Sequence, residues 1–290
     1  MRKFRPKDPY NVVYLTFIYK KIGKNRPIID ESVIFHNNQK KNNSLQNSLG
    51  DFAIFNADII KDYNAAESFF ISSIEKNPYN PYWLGNYAAF LHYYKKNYKL
   101  AKKFYIRSLK IHPKDSFILY NYAILEIFEF KNYDNAEKLL RKAIRKKDNR
   151  NKYLLSYANF LFKIRKDFEA AEKIIHKIFI NNPNNPIVLC CFAQLKLYQG
   201  NLQDARELID RAFANNPPEE IELELWFYRY CHFSDWQTKA ELEIETFLKK
   251  DVRTFGWGYQ QNVIMAIFKG HSNPYKLETF ANQISGNFKI

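Results

Sequence analysis

One phrase recurs five times at a nearly constant interval, and it limits the possible folds more than any other feature of the chain. In its clearest copy Tyr87-Ala88-Ala89-Phe90 is followed by Ala101, Phe104, Tyr105, Ser108 and Leu109, and then by Pro113. The first part returns as Phe52-Ala53, Tyr122-Ala123, Tyr157-Ala158 and Phe192-Ala193. The alanines of the second part, Ala66, Ala101, Ala136, Ala171 and Ala205, are separated by 35, 35, 35 and 34 residues. A fixed period of this length marks a stacked array of supersecondary units, each burying its apolar face only against its neighbours.

Within a unit the apolar residues fall at helical spacing in two runs. Leu84, Tyr87, Ala88 and Leu91 share one face of a first helix, and Ala101, Phe104, Tyr105, Ser108 and Leu109 share one face of a second. The turns between them are Lys96-Asn97, Lys131-Asn132, Lys166-Asp167 and Gly200-Asn201. Asn80-Pro81 and Asn185-Pro186 place a capping oxygen before a proline at the first helical position, and Asp115-Ser116 caps in the same way. Pro78, Pro113, Pro183 and Pro217 stop the second helices, and Asp148 stands where the third unit would have its proline. The alanines let helix axes approach closely while aromatic side chains fill the flanks.

The order Leu…Tyr-Ala…Ala…Phe…Ala…Pro in paired helices resembles the tetratricopeptide repeat. The resemblance implies an all-α fold, a right-handed solenoid of stacked antiparallel helix pairs. It covers residues 46–219 as five repeats; 220–290 reads as a degenerate sixth repeat with capping helices, Phe227 occupying a small-residue position. Residues 1–45 read as a basic N-terminal extension, partly low in complexity around His36–Ser44. The usual unit of the family has 34 residues. The extra residue of most units here also looks like the helical repeats of some RNA-processing scaffolds.

The chemistry of enzymes is not visible. The six histidines are isolated from one another, there is no glycine-rich phosphate loop or nucleophile elbow, and no recurring metal-ligand spacing. Glu219 to Glu224 reads as an acidic helix start, favourable to the helix dipole. Neither a cofactor nor a metal site is expected, and the chain reads as non-catalytic. Cys190, Cys191 and Cys231 form no disulfide framework and suit a reducing compartment. With no secretory leader and no run long enough to span a membrane, the expected location is cytoplasmic.

Two surfaces remain as candidates. By the resemblance, the first helices line a concave peptide-binding groove, formed by Tyr82, Asn86 and Tyr93, then Phe117 and Asn121, then Lys152, Ser156, Asn159 and Lys163, and finally Gln194 and Tyr198. Amides in such a groove can pair an extended backbone, and aromatic rings supply rigid apolar contact. The family's carboxylate clamp of two lysines, two asparagines and an arginine is matched only by Asn121 and Lys152; Gly85, Ala89 and Ser156 fill the other places.

The second surface is the basic run Arg141, Lys142, Arg145, Lys146, Lys147 and Arg150, which could contact phosphates. The net charge is +15, distributed as +7 over residues 1–46, +4 over 47–115, +6 over 116–185 and −2 over 186–290. Richness in Lys, Asn, Ile, Phe and Tyr together also fits an AT-rich genome. The leading expectation is an interaction scaffold holding a peptide or helix of a protein partner. The alternative is a helical-repeat protein associated with RNA or DNA through the basic run and the N-terminus.

Overall fold

The structure, a computed structural model, describes residues 45–145, 150–254 and 259–285. The expectations for the N-terminal extension, Lys146, Lys147 and Asp148 lie outside the described residues, as does the side chain of Arg150. Every regular element among the described residues is helical. They divide into two compact units between Ala143 and Ile144.

The first unit holds α1 (Leu45–Phe55), α2 (Tyr63–Lys76), α3 (Pro81–Tyr93), α4 (Tyr98–Ile111), α5 (Ser116–Phe128) and α6 (Tyr133–Ala143). The second holds α7 (Arg150–Phe160), α8 (Phe168–Asn181), α9 (Pro186–Tyr198), α10 (Leu202–Ala214), α11 (Glu219–His232), α12 (Gln237–Lys249), α13 (Tyr259–Phe268) and α14 (Pro274–Ile284). Odd- and even-numbered neighbours pack as antiparallel pairs, and within each unit successive pairs stack. This is an all-α repeat fold.

The recurrent alanines explain the stacking. Ala53, Ala66, Ala88, Ala101, Ala123, Ala136, Ala158, Ala171, Ala193 and Ala205 are all 0% exposed, so each of these small side chains lies wholly within the helix packing. Aromatic side chains close the flanks: Phe70 lies 5.6 Å from Tyr87 and 5.3 Å from Phe90, and Phe104 meets Tyr87 edge-on at 4.9 Å. Two glycines serve close approach. A Cβ on Gly50 would fall 2.1 Å from the Trp83 ring, and one on Gly85 would fall 1.9 Å from Ile118 Cδ1.

Caps form where the sequence places them. Asn80 Oδ1 accepts from the N–H groups of Tyr82 and Trp83, Asn185 Oδ1 from those of Ile187 and Val188, and Asp115 Oδ1 from that of Ile118. The second helices use Asp62, Asn97, Asn132, Asp167 and Asn201 alike. Each satisfies backbone donors that a helix start leaves unpaired.

The turn before each of these caps accounts for the extra residue. Lys61, Lys96, Lys131, Lys166 and Gly200 all have left-handed backbone, with φ of 63°, 54°, 53°, 59° and 78°. In the 35-residue copies the preceding helix widens as it ends. The N–H groups of Asn97, Asn132 and Asp167 reach back six residues to the carbonyls of Leu91, Glu126 and Leu161, and a π turn covers Asn56–Ile60 and Leu161–Arg165. The shorter fifth copy closes differently. Asn201 N–H bonds Lys196 O and Gly200 N–H bonds Leu197 O, the paired bonds of a Schellman end with glycine in the left-handed place.

The chain end is held by packing of another kind. Phe227, in the slot where earlier copies carry alanine, is fully buried and meets Tyr259 edge-on at 5.1 Å. The Arg229 guanidinium stacks 3.8 Å from Trp236, 4.1 Å from Phe213 and 4.9 Å from Trp226, and pairs with Asp210 at 2.5 Å. Trp226 and Trp236 thus act in packing.

Candidate functional site

Within each unit the first helices lie side by side, α3 beside α5 in one, α7, α9 and α11 in the other. One slot repeats every 35 or 34 residues along them as Tyr93, Phe128, Lys163, Tyr198 and His232. A second repeats as Asn86, Asn121, Ser156 and Cys191. The expected groove residues occupy these slots and their neighbours, but the two units give them different chemistry.

In the first unit the face is neutral. Tyr93 donates its hydroxyl to Asn121 Oδ1 at 2.8 Å, bridging α3 and α5, and Asn121 Nδ2 donates to Phe117 O at 2.9 Å. Asn86 Nδ2 donates to Tyr82 O at 2.9 Å. Both amides are therefore held by the carbonyl four residues before them. Tyr82, Tyr93 and Phe117 are partly buried and Asn121 is buried, while Phe128 is exposed. Burial raises the Tyr82 phenol above its ordinary value, and nearby Asp51 and Asp115 add to that. His92, stacked on Tyr93 at 4.2 Å, is buried and its imidazole is lowered to about 4, chiefly by burial and then by Lys96.

In the second unit the face encloses charge. Lys163, in the π turn that follows α7, is only 9% exposed, and burial lowers its ammonium from 10.5 to about 8 although Glu224 on α11 pulls the other way. Burial raises the Glu224 carboxyl, against the opposing pull of Lys163 and of the Tyr228 hydroxyl, which donates to it. Between these helices, on α9, Cys191 Sγ donates to Asn159 Oδ1 at 3.2 Å, and burial pushes its thiol up to about 12. Cys190 is raised well above its ordinary range by burial and then by Glu224. Gln194 is 2% exposed, and Tyr198 is partly buried against Phe162 at 5.2 Å. Ser156 donates to Lys152 O at 3.0 Å, and Lys152 itself is exposed.

Glu224, Tyr228 and the two cysteines were not among the expected groove residues. Glu224 reads in sequence as the end of an acidic helix start, yet its place in the repeat is that of Gly85, Tyr120, Leu155 and Cys190. A charge in a slot that otherwise carries small or apolar side chains was the readable signal. Tyr228 likewise follows Ala89, Ile124, Asn159 and Gln194 in register.

The basic run is described only in part. Arg141 pairs with Glu137 through two bonds of 3.0 and 2.9 Å on its own helix, and Lys142 near the end of α6 and Arg145 just after it are exposed. Among the described residues no group of three or more His, Cys, Asp or Glu side chains is placed to hold a metal ion. No described helix is long and apolar enough to cross a membrane. All three cysteines are buried and reduced.

These features define a helical-repeat protein whose first-helix faces carry buried and partly buried polar side chains. The family model for subunit 3 of the anaphase-promoting complex, or cyclosome, matches residues 129–212. Among solved structures, a tetratricopeptide repeat protein from Parabacteroides merdae is similar over 94% of this chain and 98% of its own, at 17% identity and a TM-score of 0.60. PilW, a widely conserved type IV pilus biogenesis factor, is similar over 71% of this chain and 99% of its own, at 18% identity and a TM-score of 0.58. The Cut9-Hcn1 hetero-tetramer of the anaphase-promoting complex aligns over 90% of this chain and 50% of its own, at 12% identity and a TM-score of 0.57. No curated protein matches the sequence. The fold is that of a tetratricopeptide-repeat protein.

Proposed function

We propose that the chain is a non-catalytic scaffold that binds a peptide segment or helix of a protein partner along its first-helix faces. The observation that carries this reading is the state of the amides. An asparagine side chain has two donors and two acceptor lone pairs. The bonds of Asn121 to Phe117 O and from Tyr93 take one donor and one lone pair and fix the plane of the amide. A second donor and acceptor are left in a set orientation beside half-buried aromatic rings. Such a group pairs a peptide backbone at small entropic cost because its rotamer is already fixed. The similarity of residues 129–212 to an anaphase-promoting complex subunit, and of the fold to subunits in a solved assembly of that complex, supports a role as a subunit or adaptor of a larger assembly.

The test is comparative capture of partners by the full chain and by Asn121→Ala with Asn159→Ala, at matched folded content by circular dichroism. The expected result is loss of partners that the unaltered chain retains through a 0.5 M salt wash, on the order of tenfold for a lost backbone-pairing amide in each unit. An unchanged partner set would overturn the reading.

A further inference from the structure

The row of first helices in the first unit continues beyond α3 to α1. Gly50 on α1 packs against the Trp83 ring of α3, and Tyr94, just past α3, donates its hydroxyl to Asp58 Oδ1 at 2.5 Å. By the 35-residue register Asp51 takes the slot of Asn86 and Asn121, Ile54 that of Ala89 and Ile124, and Asp58 that of Tyr93 and Phe128. The neutral span of α3 and α5 therefore turns acidic at α1: of these nine positions two are acidic and none is basic, on a chain of net charge +15. Asp51 differs from the other carboxylates of the unit. Among the described residues Asp58, Glu67, Asp115, Glu126 and Glu137 are buried or partly buried, and each has a partner, in turn Tyr94, Lys95, the Ile118 N–H, Lys102 and Arg141. Asp51 is partly buried too, yet among the described residues it has neither a hydrogen bond nor an ion pair. The Tyr82 phenol stands close enough to feel the Asp51 charge but donates no hydrogen bond to it. Burial accordingly raises the Asp51 carboxyl to about 6, as expected of a carboxylate drawn out of water with no donor or cation in return.

We propose that Asp51 anchors a cationic side chain, lysine or arginine, of the peptide segment bound along this face. This subsite rests on the peptide-binding reading of the face and adds to it the charge of one ligand side chain. An ammonium or guanidinium supplies what the carboxylate lacks, a charge-assisted donor. Tyr82, partly buried beside it, offers an aromatic ring to the aliphatic stem of such a side chain. Asn86, one slot along the same row, sets an amide able to pair the peptide backbone next to the charge. The excess of positive charge on the chain works against any general attraction of cationic peptides, so a preference for them has to come from a local carboxylate such as this one.

The experiment is selection of a random peptide library displayed on phage against the full chain, followed by fluorescence anisotropy with the enriched peptides synthesised singly. Enriched peptides that lose affinity for Asn121→Ala, and so use this face, are expected to share a lysine or arginine at one fixed position. Alanine at that position of the peptide, or Asp51→Asn in the chain, should each weaken binding about tenfold, and the two together no more than either alone. Asp51→Asn should leave the thermal melt unchanged or raise it, because the folded chain loses a partnerless carboxylate. Asp51→Lys should move the selection to peptides with Asp or Glu at the same position. Asn121-dependent peptides without a cationic position, or with one whose effect survives Asp51→Asn, overturn the proposal and leave the peptide-binding reading standing. So does a melt lowered by Asp51→Asn, the mark of a carboxylate already paired in the free chain. A selection that yields no peptide dependent on Asn121 overturns that reading and the subsite with it.

Discussion

The two compact units carry the same helical frame and line it with opposite chemistry. In the first, the link between neighbouring first helices is a phenol and an amide, Tyr93 to Asn121, and nothing ionised is needed. In the second, the slot of Tyr93 is held by Lys163, and a glutamate enters from α11 at a place where other copies have Gly85, Tyr120, Leu155 or Cys190. The repeat dictates where side chains point and leaves their chemistry open. The neutral link costs little to desolvate, whereas in the second unit burial works against both charges, lowering the Lys163 ammonium and raising the Glu224 carboxyl, and the pull of each on the other opposes that.

The largest test of this contrast is removal of one ion. Glu224→Ala should destabilise the chain by about 3 kcal/mol in denaturant titration, because the Lys163 charge loses its compensating carboxylate. If the loss is no larger than for Tyr93→Phe, the two units do not differ in the way described. Next comes pH. The Lys163 ammonium titrates near 8 in the folded chain and near 10.5 when released, so the unfolded state binds more protons between those values and stability rises with pH across that window. Relative to Lys163→Met, the unaltered chain should gain about 2 kcal/mol from about pH 7.5 to about pH 9.5; equal slopes would remove the buried charge from the account. Tyr93→Phe, the neutral counterpart, should cost about 1 kcal/mol and show no such pH dependence.

The smallest effects concern what the units share. Gly200→Ala should cost about 1 kcal/mol, all of it backbone strain, since no atom lies within 4 Å of the added Cβ. Lys96→Gly should stabilise by about 0.5 kcal/mol, relief of the left-handed strain slightly exceeding the added freedom of the unfolded chain. Melting curves of the two variants side by side would show whether the lysine and glycine turns are strained in the same sense.

The helix pairs, the small alanine contacts and the caps were legible in sequence because each depends on residues a few positions apart. Asn80 caps α3 wherever α3 packs, and Ala101 reads as a contact from its spacing alone. What escaped was tertiary. Glu224 is the last residue of an acid run that helix starts commonly show, and only alignment with Cys190 and Leu155 separates it from Glu219 and Glu220. Asn86, Asn121 and Ser156 were rightly placed on the first helices, but spacing does not reveal that each bonds the carbonyl four residues back.

The widened turns have a consequence for how such an array tolerates change. A residue inserted within a helix rotates everything after it by about 100° and sends the alanines away from their partners. The extra residue of the 35-residue copies is instead taken up between Leu91 and Asn97, and at the matching places in the other long copies, after one helix has finished packing and before the next begins. There the chain changes length while Ala88 and Ala101 keep facing their neighbours. The turn works as a phase adjuster, letting copies of unequal length stack in register and leaving the faces between them free to diverge.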